Sequence, residues 1–379
     1  MRTTATTRLS LAAFVFAVAF ACFAVEGGDT TADYQVELSD PVAPTLPPRA
    51  YRVVQSCDEN GFPAGYALMF TTHVCVDEQC RMVKVTMHWD ALGYYERLEY
   101  PADTPLTKKK HVPFAAEDYA KLDQILKDRD SILGSQPLEI FGAPVPQPEI
   151  PGIDGWSGAT PQAVKDAVVD DAAYTSWTMW RWANGEIVPK LQSLTEQRCT
   201  PDYLRHLLQY NDRRAVDFAL KHITRHRPSD DQFADDVFHV LETGDREHVS
   251  LSIQFLHGAM KDRRQLHDRL IASYCRLNSN YSPLILDYLS AQEDLPPETL
   301  EGLTGILNQL PYFQIHLILR LLDKREFFSE RVESDVAGLL DNPDFFIARR
   351  ASEHLMKQQL GSETKRKLDA FRQQYRQRL

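Results

Sequence analysis

The chain has 379 residues, room for two or three domains, and its 43 % hydrophobic content supplies ordinary globular cores. Its 42 Lys and Arg stand against 53 Asp and Glu, and the net charge of -11 excludes the basic field that a duplex nucleic-acid binder needs. Six cysteines, none in C-x-x-C spacing, exclude a disulfide-built fold, a zinc ribbon and a c-type haem site.

Arg2 and Arg8 come first, then an apolar run from Leu9 to Val25 broken only by Ser10. This predicts a secretory signal over residues 1–24 and an exported protein, periplasmic or associated with the cell envelope. Ala19-Phe20-Ala21 is an A-x-A cleavage site, and the next residue, Cys22, offers lipid attachment as the alternative ending. No later apolar run reaches the roughly 20 residues of a membrane span. Residues 25–50 hold four prolines between Pro41 and Pro48 and read as an extended linker.

Residues 51–199 form the first expected domain, of α+β type. Tyr66–Val76 is β-rich and Arg81–Trp89 alternates strictly, so the two predict a hairpin turning at Asp77-Glu78-Gln79. Cys75 and Cys80 flank that turn, and in an exported protein the expectation is a cross-strand disulfide. Cys57, Cys199 and Cys275 are left without an assigned pairing. Leu106–Phe114, with Lys108-Lys109-Lys110, reads as a solvated loop, and Glu117–Leu126 as an amphipathic helix. Tyr174, Trp177 and Arg181 share a helix face; core packing is the first reading of that face and a wall beside a flavin ring the second.

Between these helices lies Asp154-Gly155-Trp156-Ser157-Gly158-Ala159-Thr160-Pro161. Ser157-Gly158-Ala159-Thr160 resembles the attachment motif of the FMN-binding domain found in flavin subunits of sodium-translocating quinone reductases and Rnf-type complexes. The resemblance implies FMN joined covalently to Thr160 by a flavin transferase, with Ser157, Gly158 and Ala159 shaping the site. Thr160 before Pro161 also suits a helix N-cap, where free N–H groups favour a phosphate. The family usually carries a further Thr or Ser two residues on, where this chain has Gln162, and its glycine-rich first strand is reduced to Gly65-Tyr66.

From residue 200 to 379 helical units repeat every 33 residues. Asn211-Asp212, Gly244-Asp245, Leu277-Asn278, Leu310-Pro311 and Pro343-Asp344 are the openings of the second helix in each unit. Apolar columns follow in register: Leu204, Val237, Leu270, Leu303 and Val336 in the first helices, and Ile223, Leu256, Leu289, Leu322 and Leu355 in the second. The expectation is an all-α solenoid of five short HEAT-like helix pairs, with Leu251, Ile253, Leu284, Leu286, Leu317 and Leu319 buried between them. In the last unit Arg350 and Ser352 replace apolar residues and read as a polar cap. Residues 362–378 carry Lys365, Arg366, Lys367, Arg372, Arg376 and Arg378, a basic closing helix read as a solvated face, with an acidic docking partner as the lesser alternative.

No catalytic nucleophile–base pair and no metal-ligand set stands out. His222 and His226, at i and i+4, lack the intervening Glu of a zinc helix. The resemblance at Ser157–Thr160 implies a flavin-carrying electron-transfer protein, whose solenoid would dock a redox or membrane-complex partner. The alternative is a non-catalytic envelope scaffold whose first domain has lost its flavin.

Overall fold

The computed structural model describes residues 31–74, 82–137 and 166–378, which form two units divided between Cys199 and Thr200. Residues 1–30 with Cys22, the pair Cys75 and Cys80, and Ser157, Gly158, Ala159 and Thr160 lie outside the described residues.

In the first unit β1 (Thr31–Leu38), β2 (Arg49–Cys57), β3 (Pro63–Thr72), β4 (Val83–Asp90) and β5 (Tyr95–Glu99) make one antiparallel sheet in sequential order. Alternation drives it: Val83, Val85, Met87 and Trp89 of β4 are buried, and the residues between them are half-buried or exposed. β3 and β4 pair with Thr72 opposite Val83 and Gly65 opposite Asp90, the hairpin the sequence predicts.

β1 departs from the reading of residues 25–50 as a linker. It pairs with β2 along its whole length, Thr31 opposite Ser56 and Leu38 opposite Arg49. The cause is a period-two pattern: Ala32, Val36 and Leu38 are buried while Asp33, Gln35 and Glu37 face solvent. The prolines occupy only the β1–β2 connection, where Asp40 Oδ1 accepts from Val42 N at 3.1 Å. The β2–β3 and β4–β5 connections share one design. Asp58 Oδ1 accepts from Asn60 N and Phe62 N, and Asp90 Oδ1 accepts from Leu92 N and Tyr94 N. The fourth residue of each turn needs positive φ and is glycine, Gly61 at 75° and Gly93 at 78°.

Among the described residues, helices α1 (Ala116–Lys127), α2 (Ala173–Asn184) and α3 (Ile187–Glu196) belong to this unit. α1 packs on β5 and α2, and α2 packs on α3. Trp182 of α2 lies in the core, stacked on Phe70 with centroids 4.2 Å apart and edge-on to Tyr51 at 5.5 Å. A buried chain of hydrogen bonds ties sheet to helix: Gln55 Nε2 donates to Tyr66 Oη (2.7 Å), Tyr66 Oη to Thr195 Oγ1 (2.7 Å), and Thr195 Oγ1 to the Ala91 carbonyl (2.5 Å).

The second unit is all-α. Its helices are α4 (Pro201–Leu208), α5 (Arg213–His226), α6 (Ala234–Thr243), α7 (Arg246–Ala259), α8 (Arg263–Tyr274), α9 (Pro283–Ala291), α10 (Pro297–Gly305), α11 (Tyr312–Arg325), α12 (Glu330–Gly338), α13 (Phe345–Leu355) and α14 (Ser362–Gln374). α4 pairs with α5, α6 with α7, and so on to α12 with α13; first helices of successive pairs touch each other, and so do second helices. Leu204, Val237, Leu270, Leu303 and Val336 are all fully buried, as are Ile223, Leu256, Leu289, Leu322 and Leu355. Asp212, Asp245 and Asp344 cap α5, α7 and α13 through side-chain acceptance of backbone N–H groups.

Three expectations need correction. Ile253, Leu286 and Leu319 are buried, but Leu251, Leu284 and Leu317 are only half-buried. The inward arc instead includes the next position, Ala219, Ser252, Ile285, Ile318 and Ala351, which leaves Leu251, Leu284 and Leu317 at its rim. α9 begins at Pro283 rather than after Asn278, because Asn278 Oδ1 closes a turn onto Asn280 N and proline favours the first helical position. Arg350 and Ser352 are buried, so they are not a polar outer face. Arg350 is accommodated because α11 presents an anion and an imidazole to it.

Candidate functional site

α2 holds the ends of the segment that contains the sequence-predicted site. The Gln136 carbonyl accepts from Trp177 Nε1 at 2.9 Å and from Arg181 Nη2 at 3.2 Å. Beyond the segment, Val169 N donates to Ser176 Oγ at 3.0 Å. Both described flanks are thus fastened to adjacent positions of one helix. Trp177, Trp180 and Trp182 are core residues, their indole N–H groups satisfied by Gln136 O, Asp128 O and Thr72 Oγ1. Arg181 lies over Trp177, 5.0 Å from the ring centroid, and burial lowers its pKa. In the lysine loop, Lys108 pairs with Asp118 at 2.7 Å, while Lys109 and Lys110 are exposed.

The helical unit contains a partly buried charge cluster that the sequence did not announce. Asp323 of α11 accepts from His354 Nδ1 at 2.6 Å, Lys357 Nζ at 3.1 Å and Arg350 Nη2 at 3.2 Å. Arg350 Nε also donates to His316 Nδ1 at 3.3 Å. Burial works to raise the Asp323 pKa, but Lys357, His354 and Arg350 hold it below the usual carboxylate range. Burial lowers the His354 pKa despite Asp323, and its Nε2 has no hydrogen-bond partner, so a proton there would be stranded. His354 is wholly enclosed, and the cluster ties α11 to α13 and the residues just after it.

Further along the stack, burial followed by repulsion from Arg263 lowers the pKa of His257 and His267. The fold therefore resists protonation of these three imidazoles, whereas the unfolded chain takes up protons once the pH drops through their ordinary value of 6.5. Stability is fully present above that pH and is lost as pH falls toward the depressed folded values. Thermal melts should therefore give a lower Tm at about pH 5.5 than at about pH 7.5; an equal or higher Tm in acid would count against the assignment.

The second helices of the last two pairs expose aromatic side chains. Phe313 is 59 % exposed, Tyr312 41 % and Phe346 61 %. Phe313 and Phe346 are one repeat apart and occupy the same position on α11 and α13, helices that touch. The 33-residue register aligns these two positions in the sequence, but their exposure shows only once the helices are packed. Earlier pairs carry Arg214, Glu247 and Asn280 at this position.

Among the described residues no helix is long and apolar enough to cross a membrane, and no group of three or more His, Cys, Asp or Glu is arranged to hold a metal ion. No family model, curated protein or solved structure matches the chain.

Proposed function

We propose that this is an exported, non-catalytic interaction protein whose helical unit, a solenoid of HEAT-like pairs, docks a protein partner. The observation that carries the reading is the repeated exposed aromatic position, Phe313 and Phe346 with Tyr312 beside them. Large rings left in water on adjacent stacked helices cost free energy that a partner recovers by covering them. Stacked pairs suit this role because their interior columns fix the spacing of whatever the outer positions display.

The double variant Phe313→Ser, Phe346→Ser tests it. Both side chains are exposed, so stability should change by no more than about 0.5 kcal/mol. A complex purified intact from native envelope should be lost in the variant. Its retention at wild-type yield would count against the proposal.

A second reading keeps the flavin. It is favoured by the fastening of Gln136 and Val169 to α2, which secures both flanks of the segment holding Ser157, Gly158, Ala159 and Thr160. FMN on the Thr160 hydroxyl would make the first unit an electron carrier and the docked partner a redox protein. Co-expression with a flavin transferase should then add one FMN to the intact mass, and Thr160→Ala should remove it. An unmodified mass under those conditions would retire this reading.

A further inference from the structure

The basic closing helix has a counterpart on its neighbour. α13 and α14 border a cleft of about 750 Å³, lined by Arg349 and Met356 from one side and Arg372 and Arg376 from the other. Arg349 is paired with Glu353, also in the lining, at 3.0 Å. Arg372 and Arg376 are exposed and have no ion-pair partner among the described residues. The lining thus carries three guanidinium groups against one carboxylate, on a chain whose net charge is -11. Met356, in the lining just past the end of α13, is 53 % exposed, and one turn before Arg349 on the same face of α13 stands Phe346, 61 % exposed.

From this we infer that the α13–α14 cleft binds an acidic peptide segment of the docked partner, one carrying apolar side chains among its carboxylates. The inference rests on the docking role of the helical unit. Guanidinium groups match carboxylates through paired N–H donors, and the cleft concentrates three of them around a single carboxylate. A bare phosphate would use the arginines and leave Phe346 and Met356 in water. An amphipathic acidic peptide uses both, laying its apolar residues on the ring and thioether while its carboxylates meet Arg372 and Arg376.

The test is fluorescence anisotropy on the full mature chain with a labelled peptide of alternating Glu and Leu. Saturable binding should weaken with added salt, and Arg372→Glu, Arg376→Glu should weaken it about tenfold or more while leaving Tm unchanged. Met356→Asp should weaken it too, and the same peptide with Lys in place of Glu should not bind. Absence of saturable binding, or equal affinity in the double arginine variant, overturns the inference. So does equally tight competition by inorganic phosphate, which assigns the cleft to a simple anion. Sedimentation with anionic vesicles that needs the two arginines, in the absence of peptide binding, assigns it to a membrane surface instead. If the partner complex still depends on Phe313 and Phe346 while the peptide fails, only the cleft assignment falls.

Discussion

Asp323→Ala should destabilise the helical unit by about 3 kcal/mol. Breaking one side of a buried ion pair costs ~3–5 kcal/mol because the remaining charge keeps its desolvation penalty without its partner. The Asp323 side chain is 20 % exposed, which places the expectation at the lower end of that range. The stranded charge is Arg350, whose side chain is 8 % exposed. His354 loses its acceptor at the same time, whereas Lys357 is 59 % exposed and turns to water. Asp323→Asn keeps an oxygen for His354 Nδ1–H and should cost less. The double variant Asp323→Leu, Arg350→Leu removes both charges and should recover much of the loss. Urea unfolding followed by far-UV circular dichroism reads the series. Equal stability of Asp323→Ala and wild type would show that the cluster clamps nothing.

The second large effect belongs to the sheet unit. Trp182→Ala should cost ~3–5 kcal/mol, the usual range for emptying a buried tryptophan site. Trp182 is 2 % exposed, and its removal leaves Phe70 and Tyr51 facing a void and Thr72 Oγ1 without its indole donor. The two predictions are separable by probe. All five tryptophans lie at or before Trp182, so intrinsic fluorescence reports the first unit alone. Trp182→Ala should shift the fluorescence transition, and Asp323→Ala should leave it in place while shifting the circular dichroism of the helices. A fluorescence midpoint unchanged by Trp182→Ala would mean the indole is not packed as described.

The parts of the fold legible in the sequence are those whose periodicity was long or repeated. β4 alternates over its full length, and the columns headed by Leu204 and ending at Leu355 recur five times, so packing had to follow them. β1 was hidden because its eight residues sit beside a proline cluster, and composition there outweighed a short alternation. Arg350 differs from its sequence-based expectation for another reason. A charged residue in an apolar column looks like an exposed face until the helix before it supplies Asp323 and His316, and that supply is tertiary. The candidate surface divides the same way. The arginines of α14 were visible as a basic run, but their convergence with Arg349 and Met356 of α13 exists only once the helices pack. Ser157, Gly158, Ala159 and Thr160 stand as a sequence motif whose flanks alone the structure describes.

On the docking proposal, the helical unit, and not the outer surface of the sheet, meets the partner. Site-specific photo-crosslinking measures this most directly, with one probe replacing Phe346 on α13 and a matched probe replacing Met69 on β3, whose side chain is also exposed, at 55 %. In cells with a native envelope, irradiation should give one discrete adduct mass from position 346 and none from position 69. Adducts from position 69 with none from position 346 would place the partner on the sheet instead.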